Sequence, residues 1–561
     1  QGPPKKTAAG PKRAEAISGD RVSAKVPDSL PAASGQGVFI PDPDQERVIS
    51  HSGGPALIIA GPGTGKTSVL ARSIARLMDR TDKGGVLALS FTVKAAEELR
   101  ERIRAATGRE ESSGLTVGTF HSLGRSILKA EATVAGLRDD FAVLDEDARR
   151  ALLKSITAGK KFRVSAGRLG LYIQERKRFL LLPGDTVPHL GKAAEKILEA
   201  AVSEMRDSVS CLPASQDTAL DRLYGEYRDA LKAGNTLDFE DLLAGAVRLL
   251  AAKPEILAKY RERFTTIFAD EFQDINFAQY ALVRLLAVEE IRVIGDPNQA
   301  IYGFRGASNR YMDRFLADYP GTVIYRLGKS FRCPEPIIRA ANRLAGTTLR
   351  GSPGEDTGVS LYRTPYPTDR AEAEGIARRI SALIGGTGFF ALDTGIAGGA
   401  TETREPGLSC LGQCAVLIRA AALAPPIEEA LANHGIPYRL MGEDLEDLKW
   451  SIEEVALMTI HASKGLEFDH VFVSGLEEGI LPFTLFGENK KEDIAEELRL
   501  LYVAMTRARY GLHLSWAASR SFRGRKLTGQ PSRFLAGLED LIPELQHGMK
   551  RDRNRQMELF S

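Results

Sequence analysis

The chain has 561 residues, 43% of them hydrophobic, which is too long for one hydrophobic core and predicts several domains of about 150 residues each. Its 75 Lys and Arg nearly cancel its 73 Asp and Glu, so any polyanionic partner must meet a local basic surface. The few, scattered cysteines exclude a disulfide framework and fit a reducing compartment, although Cys410 and Cys414 could supply half of a metal site. Because the chain also lacks an apolar run long enough to span a membrane, we expect a cytoplasmic protein.

The first predicted structured element follows a linker-like segment. Residues 1–37 are rich in Pro, Gly, Ala and Ser, and we expect them to be disordered because they bury too little apolar surface. An apolar run at 55–60 then leads into a Gly-rich loop at 60–67 and an amphipathic helix at 66–79. Strand, loop and helix in this order predict a phosphate-binding loop, in which Lys66 reaches the β- and γ-phosphates and the Thr67 hydroxyl ligates Mg²⁺.

Further apolar runs predict the buried strands of a parallel sheet. These runs lie at 85–91, 115–120, 265–270 and 291–294. The third ends at an acidic cluster, where we expect Asp270 to hold the metal and Glu271 to orient or deprotonate an attacking water. The sequence thus predicts a first α/β ATPase domain over 38–128 and 222–320, interrupted by a helical inserted subdomain over 129–221.

A second α/β domain is predicted over 321–545. Its apolar strand-like runs lie at 322–327, 414–418, 455–460, 470–474 and 512–516. A Gly- and Thr-rich segment at 385–407 predicts a mobile loop, and residues 546–561 predict a flexible basic tail.

Taken in order, the motifs of residues 42–535 resemble those of the UvrD/Rep/PcrA-like superfamily 1A DNA helicases. The matching segments are Gln45, AGPGTGKT (60–67), SFTVKAA (90–96), TFHS (119–122), LDFEDLL (237–243), DEFQD (270–274), GDPNQAIYGFRGA (295–307), SFR (330–332), TIHASKGLEF (459–468) and YVAMTRA (502–508). The resemblance implies two RecA-like parallel-sheet P-loop domains and an ATP-dependent, 3′–5′ DNA helicase that uses ATP and Mg²⁺ and acts in repair or replication.

The resemblance also implies an ATP site shared by the two domains. Its nucleotide contacts are the phosphate-loop residues Gly61, Gly63, Thr64, Gly65, Lys66 and Thr67, with Gln45 reading the adenine edge, Phe331 stacking on the base and Glu467 binding the ribose. Gln299 is expected to sense the γ-phosphate, and Arg332 and Arg507 to act as arginine fingers when the domains close.

A track for single-stranded DNA needs aromatic faces and cations, because bases of every kind stack on them. The residues at the family's track positions are Phe91, Thr119, His121, Tyr302, Phe304, Arg305 and His461. Phe331 and Phe304 stand where relatives usually have tyrosine and tryptophan. Phe522, in a basic turn at 519–526, lies near the position of the hairpin that splits the duplex in relatives, although there the aromatic directly precedes the glycine.

One departure from the family and one further resemblance leave alternatives for the function open. Relatives insert an accessory subdomain between Met441 and Thr459, where this chain has about sixteen residues, too few for a domain. A motor without that subdomain could translocate and displace proteins without unwinding, and an ATP-gated DNA- or clamp-binding module is a further alternative. The terminal segment 556–560 resembles a sliding-clamp-binding peptide, so the replication clamp is a candidate partner.

Overall fold

The computed structural model describes residues 39–80, 85–108, 114–160, 164–210, 218–287, 290–303, 306, 309–352, 358–385, 408–442, 452–485 and 491–545. Several sequence predictions lie outside these residues: the linker at 1–37, most of the loop at 385–407, the tail at 546–561 with its clamp-like peptide, Phe304 and Arg305.

Helices and strands alternate through most of the described chain. The helices are α1 (Pro43–Ile49), α2 (Lys66–Arg80), α3 (Val93–Thr107), α4 (Phe120–Ala130), α5 (Glu146–Thr157), α6 (Ala166–Arg178), α7 (Lys192–Ser210), α8 (Thr218–Ala233), α9 (Phe239–Ala252), α10 (Pro254–Arg263), α11 (Phe277–Leu286), α12 (Arg310–Asp318), α13 (Glu335–Ala345), α14 (Asp369–Leu383), α15 (Ala424–Asn433) and α16 (Lys491–Met505).

The strands include every apolar run predicted to be extended. They are β1 (Ala56–Ala60), β2 (Gly85–Ser90), β3 (Leu115–Thr119), β4 (Ala142–Val143), β5 (Thr236–Leu237), β6 (Phe264–Ala269), β7 (Glu290–Gly295), β8 (Val323–Leu327), β9 (Lys329–Pro334), β10 (Arg350–Ser352), β11 (Ser360–Tyr366), β12 (Cys414–Ile418), β13 (Tyr438–Leu440), β14 (Val455–Thr459), β15 (Phe468–Ser474), β16 (Ala508–Ala517), β17 (Ser519–Phe522) and β18 (Arg525–Thr528).

The first sheet is parallel and has the strand order β3-β2-β6-β7-β1-β8. Strands β1, β6 and β7 are central and buried, so the loops that follow them meet at one edge of the sheet. The prediction that β8 belongs to the second domain is wrong. It pairs with β1 from Ala56–Val323 to Ala60–Leu327 and forms the partly exposed edge of the first sheet.

The inserted subdomain has its own small core. Apolar residues of α5, α6 and α8 form this cluster, including Leu153, Ile173 and Tyr227. Helix α7 instead packs Leu198 and Met205 into the core of the first sheet. The predicted end of the insert at residue 221 falls inside α8, whose side chains up to Leu231 belong to the cluster, so that boundary was placed too early.

The second sheet is also parallel, with the order β11-β16-β15-β12-β14-β13. All five residues of β12 and all five of β14 are buried, as expected for central strands of a sheet covered on both faces. The described structure is therefore α/β with two parallel sheets, in agreement with the predicted fold class. Among the described residues, the helices are all too short or too polar to cross a membrane.

Candidate functional site: an ATP site between two sheets

The loop between β1 and α2 bends at two glycines. Gly63 and Gly65 have φ angles of 71° and 80°, in the left-handed region that favours glycine. The Lys66 ammonium group donates hydrogen bonds to the carbonyl oxygens of Ala60 and Gly61, at 3.1 and 3.3 Å. The cation is thus held against the loop backbone, where phosphate oxygens of a nucleotide can bind it.

Helix α1 fixes the same loop from outside. The Gln45 side chain is 1% exposed; its Nε2 donates to the Thr64 carbonyl oxygen at 3.0 Å, and its Oε1 accepts from the Asp42 N–H at 3.0 Å. Thr64 is itself buried and donates its hydroxyl to the Gly61 carbonyl at 2.9 Å. Thr67 lies in the first turn of α2 with a half-buried side chain.

The acidic cluster follows β6 at the same edge of the sheet. The Glu271 N–H donates to Asp270 Oδ1 at 2.8 Å, and Glu271 has a φ of 51°, a strained conformation for a residue with a side chain. Gln273 braces the cluster, because its Nε2 donates to Glu271 and Asp274 while its Oε1 accepts from the Asp296 N–H at 2.9 Å.

The two adjacent carboxyls have different electrostatic environments. Burial, reinforced by the charge of Glu271, raises the pKa of Asp270 to about 7. Burial acts on Glu271 in the same direction, but the nearby Lys66 and Lys464 outweigh it and lower the pKa of Glu271. Glu271 is therefore held as an anion, as a base requires, while Asp270 is a buried carboxyl that a cation would stabilise as an anion.

The oxygen donors at this edge fit Mg²⁺, a hard cation that prefers carboxylate and hydroxyl ligands. Asp270 and Thr67 would hold it, and Asp270 is buried to 4% exposure without a cationic side chain among its hydrogen-bond partners in the described structure.

Residues that follow β7 bring Gln299 into contact with the second sheet. Gln299 Nε2 donates to Asp296 Oδ2 at 2.7 Å. From the second domain, Arg507 Nη2 approaches Gln299 Oε1 at 3.4 Å, and Lys464 Nζ donates to the Gln299 carbonyl oxygen at 2.6 Å. Lys464 also forms a short ion pair with Asp274.

Strand β9 lies directly on the phosphate loop. The Ser330 hydroxyl donates to the Pro62 carbonyl oxygen at 2.9 Å, and the Phe331 N–H donates to the Gly63 carbonyl oxygen at 2.8 Å. A Cβ on Gly63 would lie 2.4 Å from the Arg332 Cβ, so a glycine is needed for this close approach. Phe331 keeps 46% of its surface exposed beside the loop.

The two predicted arginine fingers are both near this contact. Arg507 is 1% exposed, and burial together with the charge of Arg332 lowers its pKa to about 10, which leaves it cationic at neutral pH. Arg332 pairs with Glu467 at 2.5 Å, and Arg509 forms a second, shorter pair with the same carboxylate. The structure thus joins the predicted nucleotide residues of both domains through direct contacts.

Comparisons with known protein families agree with this architecture. The UvrD/REP helicase N-terminal domain family matches residues 42–320, and the UvrD-like helicase C-terminal domain family matches residues 442–519. The chain belongs to the UvrD/Rep helicase family.

Individual relatives carry the names of DNA helicases. The chain is 34% identical to the ATP-dependent DNA helicase UvrD1 of Mycobacterium leprae, over 72% of this chain and 50% of the relative. It is 32% identical to DNA helicase II of Escherichia coli, over 71% of this chain and 51% of the relative. The ATP-dependent DNA helicase PcrA of Leuconostoc citreum is 27% identical, over 92% of this chain and 87% of the relative.

The first two of these relatives are matched over about half of their own length. The alignment with PcrA runs over 678 residues, which exceeds the 561 residues of this chain, so that relative has segments without a counterpart here.

Of the UvrD-family positions expected to contact DNA, three lie together beside the ATP site. The rings of Phe91 and Tyr302 are stacked, with centroids 5.6 Å apart and an interplanar angle of 12°. Lys464 Nζ lies 5.0 Å from the Tyr302 ring centroid, and the Tyr302 hydroxyl is 3.5 Å from the His461 carbonyl oxygen. Lys464 therefore connects this aromatic group with Gln299 of the ATP site.

Two further expected DNA residues, Thr119 and His121, lie in a separate group at the start of α4. Thr119 accepts a hydrogen bond from the Ser122 N–H at 3.1 Å and caps the helix. The His121 ring stacks on Phe239, with centroids 4.0 Å apart, and its Nε2 is 3.7 Å from a Glu240 carboxylate oxygen. Phe239 is 56% exposed, so this ring pair presents an aromatic surface to solvent.

Acidic residues at the start of α9 hold this group to the inserted subdomain. Lys177 of α6 is 2% exposed and lies 2.8 Å from Asp238 and 2.7 Å from Asp241. Gln174 of the same helix donates to Glu240 at 2.9 Å. The motif LDFEDLL alone assigns these acids no role, because acidic residues are common in the first turn of a helix.

The expected contact of Phe522 with DNA does not fit its position. A hairpin does form from β17 and β18, but Phe522 is 3% exposed and packs edge-on against Phe483. Side chains alternate between the two faces of a strand, and the register turns Phe522 inward. The solvent-exposed residues of the tip are Arg523, Gly524, Arg525 and Lys526.

Proposed function

We propose that this chain is an ATP-dependent motor that translocates 3′ to 5′ along single-stranded DNA and separates duplexes during repair or replication. One observation carries the proposal: the phosphate loop of the first sheet is bonded by Ser330 and Phe331 of β9, and Gln299 is approached by Arg507 of the second domain. Because residues of both domains complete one site, nucleotide turnover has to couple to their relative movement.

The proposed chemistry divides among the residues of this cluster. Gln45, Phe331 and Glu467 hold the nucleoside, and the phosphate-loop amides with Lys66 hold the phosphates. Thr67 and Asp270 hold Mg²⁺, which supplies charge neutralisation when bound. Glu271, which its surroundings keep anionic, orients or deprotonates the attacking water. Gln299 senses the γ-phosphate, and Arg332 and Arg507 stabilise the developing charge.

The proposed DNA path follows the aromatic residues. Phe91, which is partly exposed, would contact bases next to the candidate ATP site, with the largely buried Tyr302 and His461 packed behind it, while His121 would contact the strand further along. Phe304 and Arg305 stay in the proposal on sequence grounds. Acting on such DNA, the protein would work at the nucleoid.

The test is a strand-separation assay on a duplex with a 3′ single-stranded tail, compared with the same duplex carrying a 5′ tail. We expect ATP- and Mg²⁺-dependent separation of the 3′-tailed duplex, and none with the variant Lys66→Ala. Preference for the 5′ tail would refute the polarity, and ATP hydrolysis that single-stranded DNA fails to stimulate would refute the motor itself and favour an ATP-gated binding module.

A second candidate function is translocation that strips proteins from DNA without unwinding. It is favoured by the alignment with PcrA, which is longer than this chain, together with the short connection from β13 to β14. Displacement of a protein block from single-stranded DNA, combined with failure to open the 3′-tailed duplex, would establish this alternative.

The sliding clamp remains a candidate partner through residues 556–560. Deletion of the last six residues should abolish co-elution with the clamp in size-exclusion chromatography. Unchanged co-elution of the shortened chain would remove this part of the proposal.

A further inference from the structure

Helix α16 of the second domain contacts the loop that follows Gln299 in the first domain. Arg499 Nε donates a hydrogen bond to the Ala300 carbonyl oxygen at 2.7 Å. The Gly303 N–H donates to Glu496 Oε1 at 3.0 Å. Glu496 and Arg499 are three residues apart, so they lie on one face of α16 and grip the two ends of a four-residue loop.

The Glu496 carboxylate occupies the space that a side chain on residue 303 would take. A Cβ on Gly303 would lie 2.2 Å from Glu496 Oε2 and 2.9 Å from its Cδ. The φ angle of Gly303 is outside the left-handed region, so its backbone conformation is open to any residue. A Cβ at this position would therefore displace the end of the Glu496 side chain across the domain boundary, and glycine lets the carboxylate approach the amide.

The gripped loop connects the two functional groups of residues. Gln299, at its start, is approached by Arg507 in the ATP site. Tyr302, within it, stacks on Phe91 in the expected DNA path. A shift of the loop backbone therefore moves both side chains, and two charged side chains of α16 set its position through charge-assisted hydrogen bonds.

From this geometry we propose that Glu496 and Arg499 are positioning residues that transmit DNA binding at Tyr302 to the ATP site at Gln299. The proposal rests on the proposed motor function, since it assigns the coupling step of that motor to a two-point grip on residues 300–303. It requires that α16, which leads directly into Arg507, moves together with that arginine when the domains shift.

A double-mutant cycle tests the grip. Glu496→Ala and Gly303→Ala should each lower the ratio of DNA-stimulated to DNA-independent ATP hydrolysis by about tenfold, because the first removes the acceptor and the second pushes it away. The double variant should be no worse than either single one. Glu496→Gln, which keeps an acceptor oxygen, should recover most of the ratio, and Arg499→Ala should reduce it as Glu496→Ala does.

The matched control is Glu374→Ala. Glu374 is a partly exposed carboxylate that pairs with Arg378 and His434 inside the second domain, so its loss should leave the ratio unchanged. Strictly additive losses in the Glu496 and Gly303 cycle, or an unchanged ratio in Glu496→Ala, would overturn the proposal.

Hydrogen exchange provides a readout that does not depend on motor activity. The Gly303 amide should exchange slowly in the full chain and much faster in Glu496→Ala, with equal melting temperatures for the rest of the second domain. Slow exchange in Glu496→Ala would overturn the grip even if the protein is a motor. Loss of protection in a protein that DNA does not stimulate would instead refute the motor and leave the contact intact.

Discussion

Single residues at neighbouring strand ends set the charge of the ATP site. Asp270 is buried and the adjacent Glu271 is partly buried; burial raises the pKa of Asp270 to about 7, whereas Lys66 and Lys464 outweigh burial and lower the pKa of Glu271. Lys464 comes from the second domain, so contact between the two domains adds to the stabilisation of the Glu271 anion that Lys66 already provides. A carboxylate held as an anion in this way can act as a base.

The substitution Glu271→Gln tests this role. It keeps the size of the side chain and its contact with Gln273, but it removes the charge that would accept a proton. DNA-stimulated ATP hydrolysis should fall by about 10²- to 10⁴-fold, whereas ATP should still bind. A phosphate-release assay measures hydrolysis, and calorimetry measures ATP binding. Hydrolysis at a near-normal rate would contradict the assignment of Glu271 as the base.

The sequence was sufficient for residues whose position depends on a local pattern. The phosphate-loop glycines, Lys66 and the acids after β6 stand where the motif spacing predicted them. It was insufficient for roles created by distant contacts. Nothing near Gln273 or Lys464 in the chain indicates that the first braces two loops or that the second reaches Asp274 from another domain.

At the scale of elements, the start of α9 links the inserted subdomain to the expected DNA path. Lys177 and Gln174 of α6 hold its acids, and His121 of α4 stacks on its Phe239. Glu240 lies at the centre of this group. Burial alone would raise the pKa of Glu240, but the neighbouring His121 and Arg178 outweigh burial and lower it to about 2.

The variant Glu240→Gln should therefore be less stable, in a manner that depends on pH. Because the folded-state pKa of Glu240 is depressed from 4.5 to about 2, its contribution is fully present above about pH 4.5 and is lost as the pH falls towards 2. We expect a loss of up to about 3 kcal/mol in the free energy of unfolding at pH 7, measured by urea denaturation. A difference between variant and wild type that stays constant from pH 7 to pH 3 would contradict this account.

In the β17–β18 hairpin, Phe522 is buried and the basic tip is exposed, so substitutions at the two places should have different effects. Phe522→Ala should lower the free energy of unfolding by about 3–5 kcal/mol, because Phe522 is buried against Phe483. The double variant Arg525→Ala, Lys526→Ala should instead leave stability within about 0.5 kcal/mol and reduce duplex separation several-fold. Thermal denaturation and the 3′-tailed duplex assay check both, and normal unwinding by the double variant would exclude the basic tip from duplex contact.

The sequence pattern predicts where strands form, but it does not determine which sheet a strand joins or which way its side chains point. The apolar runs predicted strands correctly, because buried parallel strands are continuously apolar. The assignment of β8 to the wrong sheet arose because pairing with β1 is decided more than two hundred residues away. The inward direction of Phe522 likewise depends on the hairpin register, which a single aromatic two residues before a glycine does not specify.

On the scale of the whole molecule, the described chain is two parallel sheets that meet at one site. Contacts from β9, from the segment around Lys464 and from α16 converge on loops of the first sheet. In the proposed motor the site is complete only with residues of the second domain, so that hydrolysis and domain movement are one event.

The most direct test is single-turnover ATP hydrolysis with saturating single-stranded DNA, comparing wild type with Arg507→Gln and Arg332→Ala. The matched control is Arg533→Ala, which removes an exposed arginine that pairs with Glu478 inside the second domain. For folded variants, confirmed by thermal denaturation, the account predicts a loss of at least about 10³-fold in the hydrolysis rate at either finger, with ATP binding largely retained and the control unaffected. Hydrolysis within a few-fold of wild type in both finger variants would contradict it.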